Sequence, residues 1–171
     1  MEKQEQSQSI NWLPALVVAL LLGVGLHELF RIWPSIVTEF LSPVNNSIWE
    51  HLKVLFWPLL LVELGIFPPA HRSGGLLALL LSCAAMLAAG WVYHLVLGGT
   101  ELWVDLAIFG LCILAYFLLS DAPRPGKQWL PVLRLLTALL AALMILFTLN
   151  PPHGALFVDP ARPAIWYERL C

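Results

Sequence analysis

Charge is what this chain has least of. Only 12% of its 171 residues are Asp, Glu, Lys or Arg, while 60% are hydrophobic. A soluble domain carries about 25% charged residues, so the scarcity excludes a conventional solvated surface. The net charge of −2 excludes the broad basic field on which nucleic-acid binding depends, and no nucleic-acid partner is expected. Cysteine is scarce too. Cys83 and Cys112 sit in apolar runs, Cys171 stands last, and no pair has redox or zinc-motif spacing. No internal repeat is present, and the start, MEKQEQSQSINW, is followed by an apolar run without a cleavage site. A removable signal peptide is therefore not expected.

What the chain does have is long apolar runs. A helical span needs roughly 20 apolar residues, and five runs approach that length: about 13–30, 47–67, 76–97, 102–119 and 130–149. The expectation is an all-α, single-domain membrane bundle of five transmembrane helices, with a tail at 150–171. Between the first two spans, RIWPSIVTEFLSPV is too short and too proline-punctuated to cross, and reads as an interfacial segment. Ser47 followed three residues later by Glu50 has the form of a capping box. Pro58 in mid-span deprives the Val54 carbonyl of its donor and predicts a kink. Ala85 with Ala89, and Ala138 with Ala142, form small-residue faces that allow close helix approach in lipid. A homo-oligomer is compatible with this composition.

An alternating path through five spans brings scattered residues to one membrane face. His27 and Glu28 end the first span, Glu50 and His51 open the second, and His94 ends the third. Glu101 and Asp105 open the fourth, and His153 follows the fifth; only His71 falls at the other face. Ionisable groups at membrane depth are costly and usually functional. Trp33, Trp49, Trp91 and Trp103 would form an aromatic belt at the same face. Lys53 is expected to snorkel toward headgroups. Glu63, isolated in the second span, has Arg134 as a conceivable partner, and His71 reads as a loop residue. Basic residues number five on the N-terminal side (Lys3, Arg72, Arg124, Lys127, Arg134) and four opposite (Arg31, Lys53, Arg162, Arg169). The balance favours a cytoplasmic N-terminus and an extracytoplasmic C-terminus.

Two segments, SPVNNSIWEHLK and NPPHGALFVDP, carry a resemblance to an uncharacterised family of small bacterial multi-pass membrane proteins. The resemblance rests on N-x-S-x-W-E-H, read as Asn45 to His51, and on P-P-H followed by F-x-D-P. It implies a bacterial plasma-membrane protein and supplies no activity. Ser47 and His51 also fit the Ser-x-x-x-His spacing of alkaline ceramidase-type hydrolases. Those proteins have seven spans and a later His-x-x-x-His that is absent here.

The favoured expectation is a metal-dependent membrane hydrolase or transferase acting on a lipid or lipid-linked ester or amide. His27, His51, His94, His153 and Asp105 are the candidate ligands for a divalent ion, zinc first, because zinc accepts imidazole and carboxylate. Glu28, Glu50 and Ser47 are the candidate catalytic groups, supported by Asn46, Tyr93 and Asp159. Two other readings stand beside it: a transporter or channel accessory protein binding cations or protons at the same cluster, and a membrane scaffold whose polar plug fixes helix packing.

Overall fold

The computed structural model describes residues 12–122 and 125–159. Lys3, Arg124, Arg162 and Arg169, four of the residues in the charge balance, and the tail beyond Asp159 lie outside the described residues. Among those described, the chain is all-helical. Its α-helices are α1 (Leu13–Ile32), α2 (Ile36–Leu41), α3 (Ile48–Gly65), α4 (Arg72–Gly90), α5 (Leu102–Ser120) and α6 (Leu130–Leu149). A π-helical turn, Trp91–Val96, prolongs α4. Four helical stretches are long and apolar enough to cross a membrane: Leu13–Ile32, Arg72–Val96, Leu102–Ser120 and Lys127–Leu149.

Local chemistry sets the ends of these helices. Proline occupies the first turn of both α1 and α6, where its missing N–H would be unpaired anyway. Ser35 and Thr38 cap α2 reciprocally, side chain to backbone in both directions. That makes the segment between α1 and α3 the short, non-crossing helix expected. Ser47 caps α3 by accepting from the Glu50 N–H at 3.3 Å. The carboxylate of Glu50 does not reach back to complete a capping box; it accepts from the Val44 N–H instead.

Helices α1, α3, α4 and α5 form a ring in which each touches the next and α5 returns to α1, while α6 packs outside against α4, α3 and α2. Most of α3 is buried, whereas α1 buries only Ala15, Ala19 and Gly23. Ala85, Ala138 and Ala142 point outward and do not mediate the internal packing. Leu21, Ile32, Leu97, Leu111 and Leu118 stand exposed on the perimeter. Helices that are apolar all round belong in lipid.

The charges inside the bundle ride on α3, and they are paired. The Lys53 ammonium is fully buried and does not snorkel. It donates to Glu50 Oε2 at 2.6 Å, to the Glu39 carbonyl at 2.8 Å and to the Ser42 carbonyl at 3.3 Å. The other oxygen of Glu50 accepts from the Thr148 hydroxyl of α6 at 3.1 Å. This clamp ties α2, α3 and α6 together. At the opposite end, Glu63 pairs not with Arg134, which is exposed, but with His71 and Tyr116. Tyr116 donates to Glu63 Oε2 at 2.7 Å, and His71 Nδ1 lies 2.9 Å from the same oxygen. His71 is fully buried and stacked on Phe67, at a ring separation of 4.3 Å. Gly75 makes room for this triad, since a Cβ there would collide with the Glu63 carboxylate.

Candidate active site

A cavity of about 480 Å³ opens at one end of the four-helix ring. Its polar wall is His27 and Glu28 from α1, Asn46 and His51 from the start of α3, His94 from the π-turn, and Asp105 from α5. Of the four histidines expected to converge, His27, His51 and His94 line this cavity and His153 does not. His27 and His51 stand with ring centroids 5.4 Å apart, and His51 lies within electrostatic reach of His27, Asp105 and His94.

Hydrogen bonding fixes how each imidazole can act. His51 sits in the first turn of α3, one turn above the Ser47 cap, and its Nδ1 lies 3.0 Å from the Ser47 carbonyl. A carbonyl only accepts, so Nδ1 carries the proton and Nε2 keeps its lone pair. His27 Nδ1 lies 3.0 Å from Glu28 Oε1, and Glu28 Oε2 also accepts from Arg31 at 3.1 Å. The same argument puts a proton on Nδ1 of His27, so that in the neutral ring Nε2 is the nitrogen left to bind. This is the arrangement found where histidines bind metal: one ring nitrogen donates to a carboxylate or carbonyl and the other is left for the ion.

His94 is different. Its Nδ1 lies 2.9 Å from the Gly99 carbonyl and its Nε2 lies 2.9 Å from Asp105 Oδ1. Both nitrogens face oxygen: Nδ1 lies against the Gly99 carbonyl and Nε2 stands beside the Asp105 carboxyl. The local backbone produces this geometry. The π-turn widens the end of α4, Gly98 turns the chain at φ +67°, and Gly99 leaves space for the Tyr93 ring, which a Cβ there would strike.

The remaining expected residues lie outside the cavity lining. Glu50 and Ser47 serve the clamp and the α3 cap. Tyr93 accepts from the Glu101 N–H at 2.8 Å and braces the loop. Asp159 is buried and accepts from the Asn46 N–H at 3.3 Å, joining the end of the described chain to the rim. His153 is exposed in the turn after α6. Trp33, Trp91 and Trp103 are exposed at this end of the bundle, whereas Trp49 is buried against Phe147 and Phe157.

The apolar wall had no chemical signature in the sequence. It includes Gly23, Val54, Met86, Leu106 and Phe109. Its one legible cue is Gly23, a helical turn before His27. There α1 comes against the Val54 carbonyl, the group that Pro58 leaves without a helical donor.

Two imidazoles held at ~2.0–2.1 Å by one tetrahedral ion place their ring centroids roughly 5 Å apart, close to the spacing of His27 and His51. Among the described residues, no three His, Cys, Asp or Glu side chains gather around one point. A third protein ligand would require rotation of Glu28 or Asp105, both partly exposed at the cavity mouth.

Compared with curated proteins and with solved structures, the chain gives no match to either. A family model does match, over residues 1–164. The chain belongs to this family, DUF6512, a family of unknown function.

Proposed function

We propose that the protein is a membrane-embedded hydrolase or transferase acting on a lipid or lipid-linked ester or amide, with its site near one membrane face. The observation that carries this reading is the pairing inside one cavity of two different devices. His27 and His51 each engage Nδ1 and have no hydrogen-bond partner at Nε2 among the described residues, and His94 Nε2 stands 2.9 Å from Asp105. Mostly apolar walls surround both.

His27 and His51 would hold a divalent ion, zinc in the first instance. When bound, the ion would supply Lewis-acid chemistry and would acidify a water toward neutrality. Glu28 takes the proton of the attacking water and, through Oε1, keeps His27 in its tautomer. The oxygen of that water bonds to the substrate carbonyl carbon, and the bond from that carbon to the leaving oxygen or nitrogen breaks. A proton shared between His94 Nε2 and Asp105 would go to the leaving atom. General acid–base groups placed in this way contribute about 10²–10⁴-fold.

In this reading α3 is the fifth crossing. Its 18 residues span about 27 Å at 1.5 Å per residue, close to the ~30 Å hydrocarbon core. Its charges are shielded by the helices around it. The N-terminus faces the cytoplasm of a bacterial cell, and the site faces outward.

Transport is the rival reading, and the centre of α3 opposes it. His51 and Glu63 are twelve positions apart, about 18 Å of rise, and Leu52, Leu55, Leu59 and Val62 between them are buried and apolar. The experiment is a hydrolysis screen of lipid esters and amides with protein reconstituted in liposomes. Turnover is expected in the wild type and in His153→Ala, and its loss in His51→Ala. Full activity in His51→Ala, or cation flux without hydrolysis, would overturn the assignment.

A further inference from the structure

The cavity is polar at one end only. From His27 to Gly23, His51 to Val54, Asp105 to Phe109 and His94 to Met86, each element runs inward through apolar wall. These steps of three to eight residues amount to roughly 5–12 Å of helical rise. The floor lies where α1 and α5 close on each other. A Cβ on Gly23 would strike the Phe109 ring and press on the Val54 carbonyl at 2.9 Å. At this position α1 packs directly on Phe109 and on the Val54 carbonyl, with no room between them for one more methyl group.

The side of this space is open. Val24 on α1 and Leu102 and Leu106 on α5 line the cavity and are also exposed on the perimeter. Both helices are apolar enough to cross a membrane, so these rim positions meet lipid tails. An occupant arriving from the bilayer would enter past these rim residues, above the point where α1 and α5 close.

We propose that this slot takes one acyl chain, so that the substrate class is a single-chain amphiphile. The proposed occupant is a fatty-acyl ester or amide with one chain and a compact polar head, and competition with diacyl lipid tests that choice. The chain lies along Val54 and Phe109, and its carbonyl stops level with His27, His51 and His94. The head faces the mouth, where Glu28, Asn46 and Thr100 supply polar contacts. The identity of the bond cleaved rests on the hydrolase reading; the binding of the chain does not.

The test is photolabelling in phosphatidylcholine vesicles, where diacyl lipid is present in large excess as a built-in competitor. The probe is a lysophosphatidylcholine carrying a diazirine on the first half of its chain. Label is expected on the segments around Val54 and Phe109 and is displaced by unlabelled lysophosphatidylcholine. In Leu106→Trp, which changes an exposed rim residue and spares the core, label should fall to the level of outward-facing residues. Gly23→Leu should do the same if it folds. Label spread evenly over Leu111 and Leu118, or unchanged by Leu106→Trp, would overturn the proposal. So would a diacyl probe that labels the slot equally. Labelling without turnover would leave the slot intact and remove the hydrolase; turnover without slot labelling would do the reverse.

Discussion

Replacing Lys53 with methionine should destabilise the protein far more than removing Glu50 and Lys53 together. The ammonium is fully buried and makes three hydrogen bonds, to Glu50 and to the carbonyls of Glu39 and Ser42. Methionine keeps most of the volume and removes every donor. Glu50 retains the Val44 N–H and the Thr148 hydroxyl, but its charge loses its only cationic partner within the clamp. Removing one member of a buried ion pair costs about 3–5 kcal/mol. Against the 5–15 kcal/mol typical of a folded domain, that loss is large. In Glu50→Gln/Lys53→Met no charge is left unpaired, and replacing a buried pair with neutral groups of similar volume is often close to neutral. The amide oxygen can still accept from the Val44 N–H, while its NH2 can donate to the Thr148 hydroxyl, which itself donates to the Met144 carbonyl. The assay is reversible unfolding in mixed micelles, run as a double-mutant cycle. A Lys53→Met loss below about 1 kcal/mol, or a double variant as damaged as the sum of the singles, would refute the clamp. Because the first turn of α3 carries His51, a weakened clamp should also reduce turnover.

Two further predictions follow from the other polar groups. Tyr116→Phe removes a 2.7 Å hydrogen bond to buried Glu63, and should cost about 1–3 kcal/mol; an unchanged unfolding midpoint would contradict that bond. Asp105→Asn takes away the carboxylate that stands 2.9 Å from His94 Nε2. Hydrolysis should drop about 10²-fold or more while the unfolding midpoint stays near wild type, and wild-type kcat would contradict the assigned role.

Much of this architecture is written in hydrophobic runs, because lipid demands an apolar exterior wherever a helix crosses. The proline and serine signals around Ser35 and Ser47 place the short α2 and the start of α3. The convergence of His27, His51 and His94 follows from crossing parity alone, since an alternating path returns every second turn to the same face. Parity does not say which way a side chain points, and that is why Glu50 and His51, neighbours in sequence, part company. One turns to Lys53 and Thr148, the other to the cavity. The three-residue spacing of Glu50 and Lys53 was a legible ion-pair cue. His153 reaches the correct end of the bundle, but its turn leaves it in the open. The Glu63–His71–Tyr116 triad depends on α3, α4 and α5 meeting, and Arg134 is excluded because α6 turns it outward. The π-turn that aims His94 has no sequence rule behind it, and its trace is the glycine pair at 98 and 99.

The most direct measurement of the central claim is zinc content per chain in purified, nanodisc-reconstituted protein and its histidine variants. About one zinc per chain is expected in the wild type and in His94→Ala, because His94 spends both nitrogens on Gly99 and Asp105. The metal should be lost in His27→Ala and in His51→Ala. Zinc that survives both of those substitutions, or that disappears only with His94, would contradict the site as built here.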